Sequence, residues 1–347
     1  MSKQAAPPLR LVRAAQEGAE LTFSSQQQAA IAHRGSPLII TGATGTGKTT
    51  TLIEAAVARI NASQDPNSLL ILTYGRERAA EIRDAIVIRS QMTAHEPLAR
   101  TFHSLAYSIL KMRSANENFN LVLLSGAEQE NFIAQLLQGD IEKGYREWPP
   151  ELHATASSMG EPLATQGFVR ELRDLIMRAN ERSISPAHLA ERGKQLGEKY
   201  WPAAAEFWKR YLGAMALQAD GAADAKVRID PSEIIVETIH TLKNNAELLA
   251  QLRRRFTTIM VDEFQESDPA QRELLQLLAP SDIVIVADPQ SAVGRFRGAD
   301  PEGVPTALDY YRALGATEIT LTENFRGTPE IATSLSHSES EIGRAHV

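Results

Sequence analysis

Four short runs along the chain are apolar without interruption: "PLIIT" at 37–41, "SLLILTY" at 68–74, "TTIMVDE" at 257–263 and "DIVIVAD" at 282–288. A weaker fifth opens "TEITLTENF" at 317–325. Continuous apolarity with many β-branched residues, rather than strict alternation, is the pattern of strands covered on both faces, as in a parallel sheet. Between the runs lie stretches of helical period such as "GKTTTLIEAAVARI" and "ERAAEIRDAI". Strand, helix and strand in succession predict βαβ units and a doubly wound α/β fold.

From about residue 112 to 228 the strand signal disappears. "GFVRELRDLIMRA" sets Phe168, Leu172, Leu175 and Ile176 at helical spacing, and "AAAEFWKRYLGAMAL" does the same with Phe207, Trp208 and Leu212. An all-helical subdomain inserted into the sheet domain is expected, its aromatic residues serving as core anchors. The expected division is therefore 1–111 and 229–336 for the two parts of the sheet domain, and 112–228 for the insertion. "IDPSEIIVETI" reads as a helix start, with Asp230 as N-cap, Pro231 in the first turn and Glu233 completing a capping box.

Composition narrows the class. The chain has 347 residues, 43% of them hydrophobic, enough for roughly two domains with a real core. It contains no cysteine, which excludes disulfides and thiolate metal sites and fits a cytoplasmic setting. No run approaches the ~20 apolar residues of a membrane span, so no membrane partner is expected. The net charge of -7 gives no global field favouring nucleic acid, although a local groove can still be basic. Residues 337–347 are expected to be a non-native tail. Its end, Glu341 to Val347, spells "EIGRAHV", which a common sequencing adapter encodes in frame, so the reading frame is expected to be a truncated gene fragment.

The chemistry starts at the first strand. Gly42-Ala43-Thr44-Gly45-Thr46-Gly47-Lys48-Thr49 satisfies G-x-x-x-x-G-K-[ST] and lies between an expected strand and an expected helix, where a P-loop belongs. Glycines let backbone N–H groups converge on phosphate oxygens, and the following helix adds its dipole. Lys48 would neutralise the β and γ phosphates of ATP, Thr49 would ligate Mg²⁺, and Thr50 completes the loop's cofactor-binding residues. The run ending in Asp262 and Glu263 supplies the carboxylates such a site needs: Asp262 for the metal, Glu263 as general base on the attacking water.

These residues specify ATP but not the work done with it. "DEFQES" is similar to the second motif of superfamily 1 DNA helicases of the UvrD/Rep/PcrA group, and other blocks follow in that family's order. "SSQQQAAIAH" resembles the Q motif, "LTYGRERAAEIRDAI" motif Ia, "ARTFHSLAYSIL" motif Ib, "VADPQSAVGRFRGAD" motif III and "LTENFRGTPEI" motif IV. The resemblance implies a RecA-like P-loop NTPase sheet carrying a helical insertion, and an ATP-dependent helicase or translocase acting 3′ to 5′ on single-stranded DNA and duplex junctions. By the same resemblance Gln27 reads the adenine edge, and Arg326 contacts the γ-phosphate in the transition state. Tyr74 and Phe296 stack on bases, with Arg297 beside Phe296, and Thr101, Phe102 and His103 line the single-strand groove.

The sequence also departs from the family. Gly75, Arg76 and Glu77 follow Tyr74 where a hydroxyl residue, Asn and Lys are usual. The motif III γ-phosphate sensor falls on Ser291 in an ungapped alignment and on Gln290 with a gap. In the family a second RecA-like domain completes the ATP site, so this chain alone is expected to bind nucleotide weakly and hydrolyse it poorly. Two other readings stay open: a non-catalytic DNA-binding subunit of a helicase-nuclease assembly, and a P-loop ATPase indifferent to nucleic acid.

Overall fold

The computed structural model describes residues 22–91, 98–117, 119–144, 147–153, 161–219, 226–288, 291–292 and 299–326. In chain order α1 (Ser25–Ala32), β1 (Leu38–Gly42), α2 (Lys48–Asn61), β2 (Leu69–Thr73), α3 (Arg76–Ser90), β3 (Ala99–Thr101) and α4 (Phe102–Asn116) come first. The middle is β4 (Asn120–Leu123), α5 (Gly126–Glu142), α6 (Gln166–Glu181), α7 (Pro186–Leu196), α8 (Tyr200–Ala219) and β5 (Lys226–Ile229). The last part is α9 (Ile234–Asn244), α10 (Ala246–Arg255), β6 (Thr258–Val261), α11 (Pro269–Leu278), β7 (Asp282–Ala287), α12 (Val304–Ala313) and β8 (Thr317–Leu321).

Six strands form one sheet in the order β3-β2-β6-β7-β1-β8, and every pair is parallel. Alternate residues of each strand enter different cores, which is why the runs are apolar throughout. Ile39, Leu70, Leu72, Ile259, Val261, Ile283 and Ile285 pack on one face with α4 and α9 to α12. Leu38, Ile40, Leu69, Ile71, Met260, Val284 and Val286 pack on the other with α1, α2 and α3. The expected parallel α/β sheet is present, and each of the five apolar runs is one of its strands.

The middle segment has its own core, built from Ile133 and Leu137 of α5, Leu172 and Ile176 of α6, Leu189 of α7 and Phe207, Trp208 and Tyr211 of α8. Aromatic anchoring there is direct: Trp148 stands edge-on to Phe168 at 5.4 Å between ring centres, and its indole N–H donates to Asp140 at 2.8 Å.

Two local features differ from the sequence expectation. The segment is not helical throughout, because β4 and β5 pair in parallel where the chain enters and leaves it. These strands are four residues each, and β4 buries only Leu121, too short and too exposed a pattern to stand out. Nor does Asp230 cap a helix. One carboxylate oxygen accepts the Ser232 N–H at 2.8 Å, while the other accepts from the Tyr211 hydroxyl at 3.2 Å and from the Gln129 amide. The carboxylate is thus committed to joining α5 and α8 to β5, and α9 starts only at Ile234. Glu233, expected to close a capping box, is instead tucked against Asp230. Burial and that neighbouring charge push its carboxyl up to about 8.

The far end of α2, the helix that carries Lys48, is pinned by Arg59. Its side chain is 1% exposed, pairs with Asp282 at the start of β7 at 3.0 Å, and donates to the His33 carbonyl at 2.9 Å. Removing one member of a buried pair leaves an uncompensated charge, so Arg59→Ala should lower stability by about 3–5 kcal/mol. An unchanged urea midpoint would contradict that role.

Glu233 makes a second prediction. Its folded pKa of about 8 lies above the ordinary value near ~4.3, so in that interval the unfolded chain releases a proton the folded chain keeps. The residue therefore withdraws stability progressively as pH rises from ~4.3 toward 8. Glu233→Gln should be more stable than the parent at pH 8, with the difference shrinking toward pH 4. Urea midpoints measured across that range test the sign; a pH-independent difference would rule out ionisation as the cause.

Candidate nucleotide-binding site

β1, β7 and β6 are neighbours in the sheet, so the loops leaving their carboxyl ends emerge side by side, the usual ligand position in open parallel sheets. The loop from Gly42 to Gly47 turns into α2 with Gly45 and Gly47 at φ 92° and 79°, a left-handed backbone that side chains strain to adopt. A side chain at either would also collide: a Cβ on Gly45 would stand 2.8 Å from the Asn324 amide, and one on Gly47 2.7 Å from the Gln27 amide. Within the loop Thr46 is buried and its hydroxyl donates to Ala43 O at 2.8 Å.

Lys48 folds back over this loop. Its ammonium donates to Gly42 O at 2.7 Å, Ala43 O at 3.0 Å and the Asp288 carboxylate at 3.1 Å, and Thr44 donates to the same carboxylate at 3.4 Å. Asp288, at the end of β7, was not singled out in the sequence. An acid immediately after an apolar strand adjacent to the P-loop strand is the signal that could have found it.

Thr49 and Asp262 meet across the β1–β6 gap. The Thr49 hydroxyl lies 3.0 Å and 3.1 Å from the two Asp262 oxygens. Asp262 is fully buried, and burial together with the adjacent Glu263 pushes its carboxyl up to about 6. A hydroxyl and a carboxylate are hard oxygen donors of the kind Mg²⁺ takes, and an acid pair this desolvated favours a cation beside it. Among the described residues no group of three or more His, Asp or Glu could hold a metal alone, so water or phosphate oxygens would supply the further ligands of an ion held here.

Glu263 is half-buried and sits at φ 55°, ψ 42°, a left-handed conformation uncommon for a glutamate. Its carboxylate accepts from the Gln265 amide, whose oxygen in turn accepts the Asp288 N–H at 2.8 Å. Gln265, 1% exposed, also approaches the Ser291 hydroxyl at 3.5 Å. The strained backbone that aims Glu263 is thus braced by a buried amide reaching the end of β7.

The chain after β8 lies on the P-loop. Phe325 N–H donates to Gly45 O at 2.9 Å, and the Asn324 amide donates to Thr44 O at 3.0 Å and accepts from Arg326 N–H at 3.0 Å. Arg326 is exposed, its Cβ 3.0 Å from where a Gly45 Cβ would stand. Phe325, also missed in the sequence, is 54% exposed, and its ring lies 3.7 Å from a Cβ placed on Gly47. An aromatic residue directly before the motif IV arginine was the available signal. Gln27 reaches the same spot, but much of its amide is engaged: the oxygen accepts Ser24 N–H at 2.9 Å in a capping box, and the nitrogen lies 3.4 Å from Thr46 O.

The residues expected to hold DNA divide. Phe102 is 1% exposed, a core residue of α4, with its ring stacked 5.2 Å from Tyr74. Tyr74 is half-buried, and burial drives its hydroxyl well above the ordinary phenol range. The Thr101 hydroxyl caps α4 by accepting Ser104 N–H at 3.1 Å. His103 is exposed at the rim of a crevice shared with Met177, Asn180 and Ser232; crowding there, and then Arg76, lower its pKa. Gln290, Phe296 and Arg297 lie outside the described residues.

A family model described as the UvrD/REP helicase N-terminal domain matches residues 23–311. The chain is 27% identical over 339 residues to the ATP-dependent DNA helicase UvrD1 of Mycobacterium tuberculosis (strain ATCC 25618 / H37Rv), which covers 93% of this chain and 39% of that protein. DNA helicase II of Escherichia coli (strain K12) is 24% identical over 311 residues, 88% of this chain and 38% of the relative. ATP-dependent DNA helicase Rep of Buchnera aphidicola is 22% identical over 294 residues, with shares of 82% and 40%. The chain thus spans about two fifths of the length of these curated relatives. No helix among the described residues is long and apolar enough to cross a membrane. With the P-loop facing an acidic strand end, the segment after β8 docked over it, and a family match that runs from α1 through the helical segment into α12, the chain belongs to the UvrD/REP helicase family.

Proposed function

We propose that this chain is the ATP-binding part of a motor that moves 3′ to 5′ along single-stranded DNA and opens duplex junctions, with ATP and Mg²⁺ as its cofactors. The observation that carries the reading is the 3.0 Å contact between Thr49 and Asp262, which joins the P-loop to the strand-end acid that ATP hydrolysis requires. On this reading the division of the chain is the family's: a RecA-like unit from 1–111 and 229–336, and the helical insertion from 112–228 between them.

Each group then has a task. The loop N–H groups and the start of α2 bind the phosphates, and Lys48 exchanges Asp288 for the β and γ oxygens. Thr49 and Asp262 would hold Mg²⁺, which when bound would offset the charge on the phosphate chain. Glu263 takes the proton of the attacking water, positioned by the Gln265 amide. Arg326 stabilises charge that develops on the γ-phosphate, and the exposed face of Phe325 packs on the purine beside Gln27. A second RecA-like unit of the family kind would close over Phe325 and Arg326. DNA would run past Tyr74, Thr101 and His103. Phe102 is left as packing behind them.

The alternative of a P-loop ATPase indifferent to nucleic acid gains support from one observation, the burial of Phe102 and of the Tyr74 hydroxyl, which shrinks the aromatic surface open to bases. The response of turnover to DNA separates the two readings.

In the full-length protein, steady ATP hydrolysis with and without oligo-dT, beside binding of a fluorescent ATP analogue, tests the proposal. DNA should stimulate turnover. Glu263→Gln should lose ~10²–10⁴-fold of it while retaining nucleotide affinity, and Lys48→Ala should lose nucleotide binding itself. Turnover indifferent to DNA would exclude the motor, and DNA binding with no turnover would favour a DNA-binding subunit without catalysis. Phe325→Ala should weaken ATP binding by ~10-fold, the scale of one lost base-stacking contact, yet leave inorganic triphosphate unaffected. Equal losses for both ligands would remove Phe325 from the base site.

A further inference from the structure

Arg78, the third residue of α3, crosses from the far side of the P-loop into the acid pair. Its Nη2 donates to Thr49 Oγ1 at 2.8 Å and its Nε lies 3.4 Å from Asp262 Oδ2, while Nη1 stays paired with Glu81 one turn along α3 at 3.1 Å. The Thr49 hydroxyl donates to Asp262 and accepts from Arg78, which leaves it one lone pair. A metal ion held by Thr49 and Asp262 would stand where the guanidinium now stands, against the charge that Arg78 already balances. A guanidinium and a divalent cation cannot both occupy that position.

The surroundings allow exchange. The Asp262 side chain is 1% exposed and cannot leave, whereas that of Arg78 is 38% exposed and that of Glu81 67% exposed. Arg78 can withdraw toward solvent without losing its last partner, because Glu81 is on the same helix face at i+3. We propose that Arg78 is a resident cation of the metal position: it holds Thr49 and Asp262 together while no metal is bound, and a divalent cation enters only by displacing it onto Glu81. This rests on the assignment of Thr49 and Asp262 to Mg²⁺ made above. Arg78 is accordingly a positioning residue whose release sets the metal affinity of the chain.

A residue that merely braced the fold would not respond to metal in the way this exchange requires. Without Arg78 the buried carboxylate stands uncompensated beside Glu263, which weakens the metal-free protein and strengthens its hold on a cation. Arg78→Ala and the longer, neutral Arg78→Gln should each bind Mn²⁺ ~10-fold more tightly than the parent, read from the electron paramagnetic resonance of free Mn²⁺ with no nucleotide present. Both should also melt lower than the parent in EDTA and recover more on adding Mg²⁺. Asp262→Asn should abolish the Mn²⁺ signal change in every background.

Equal or weaker Mn²⁺ binding in the two Arg78 variants would overturn the proposal, as would a loss of melting temperature that Mg²⁺ does not restore. Binding of a fluorescent ATP analogue in EDTA separates this from the nucleotide assignment. If parent and variants all bind the analogue but share one Mn²⁺ affinity, the role of Arg78 is wrong and the P-loop stands. If none binds it, the P-loop assignment fails, and the Mn²⁺ comparison still decides which cation holds Asp262.

Discussion

A buried charge has to be matched where it stands, and around this P-loop the matching is done by the protein itself. Asp262 is enclosed at the end of β6, Asp288 is nearly enclosed at the end of β7, and Glu263 is half-buried beside them. Water cannot solvate these groups adequately, so cations are drawn in: Lys48 to Asp288 and Arg78 to Asp262. The arrangement follows from strand order. β7 lies between β1 and β6, so the P-loop leaving β1 faces the acids that follow the next two strands on that side.

That pairing also reconciles an acidic chain with an anionic ligand. A net charge of -7 spread over 347 residues says little about a site whose local fields are set at contact distance. The ammonium of Lys48 and the N–H groups of the glycine turn are the positive elements nearest the phosphates, and Arg326 stands exposed over Gly45. Triphosphate would exchange one set of partners for another rather than meet bare charges. Specific polar exchange of this kind favours one orientation of the ligand, because the fixed backbone of the loop cannot rearrange to suit a different one.

The sequence was most informative where burial is symmetric. Strands covered on both faces must be apolar at every position, so "LLILT" and "DIVIVA" announce themselves. β3, three residues long with two half-buried, and the β4–β5 pair carry no comparable mark. Site residues that lie in one contiguous loop were equally legible, because backbone geometry alone demands their glycines. Side chains that act across the sheet were not. Nothing in "YGRERAAE" indicates that Arg78 points at Thr49 while Arg76 faces solvent, since that depends on how α3 is set against β2 and β6. Asp288 was passed over for the same reason. Phe102 shows the same limit from the other side: its motif resembles a groove lining, the helix it starts packs that ring into the core, and local sequence does not encode what lies behind a residue.

The segment between β2 and α3 now has a double burden. Tyr74 follows the last residue of β2, and Arg78 comes four positions later on the first turn of α3. Tyr74 leans on Phe102, which leads directly into α4 with Thr101 as its cap. If Arg78 leaves Asp262 when a metal enters, the force it exerted on α3 is released within a few residues of the ring that the proposed motor uses for DNA. Packed interiors transmit such shifts because they have no slack to absorb them. Gly75, the joint between the two, is uncrowded: a Cβ added there would meet nothing nearer than Arg78 Cβ at 3.8 Å. The departures from the family pattern in this stretch, Gly75, Arg76 and Glu77, thus fall at the place where nucleotide state and strand grip would be coupled, and a change of coupling there requires no change in either site.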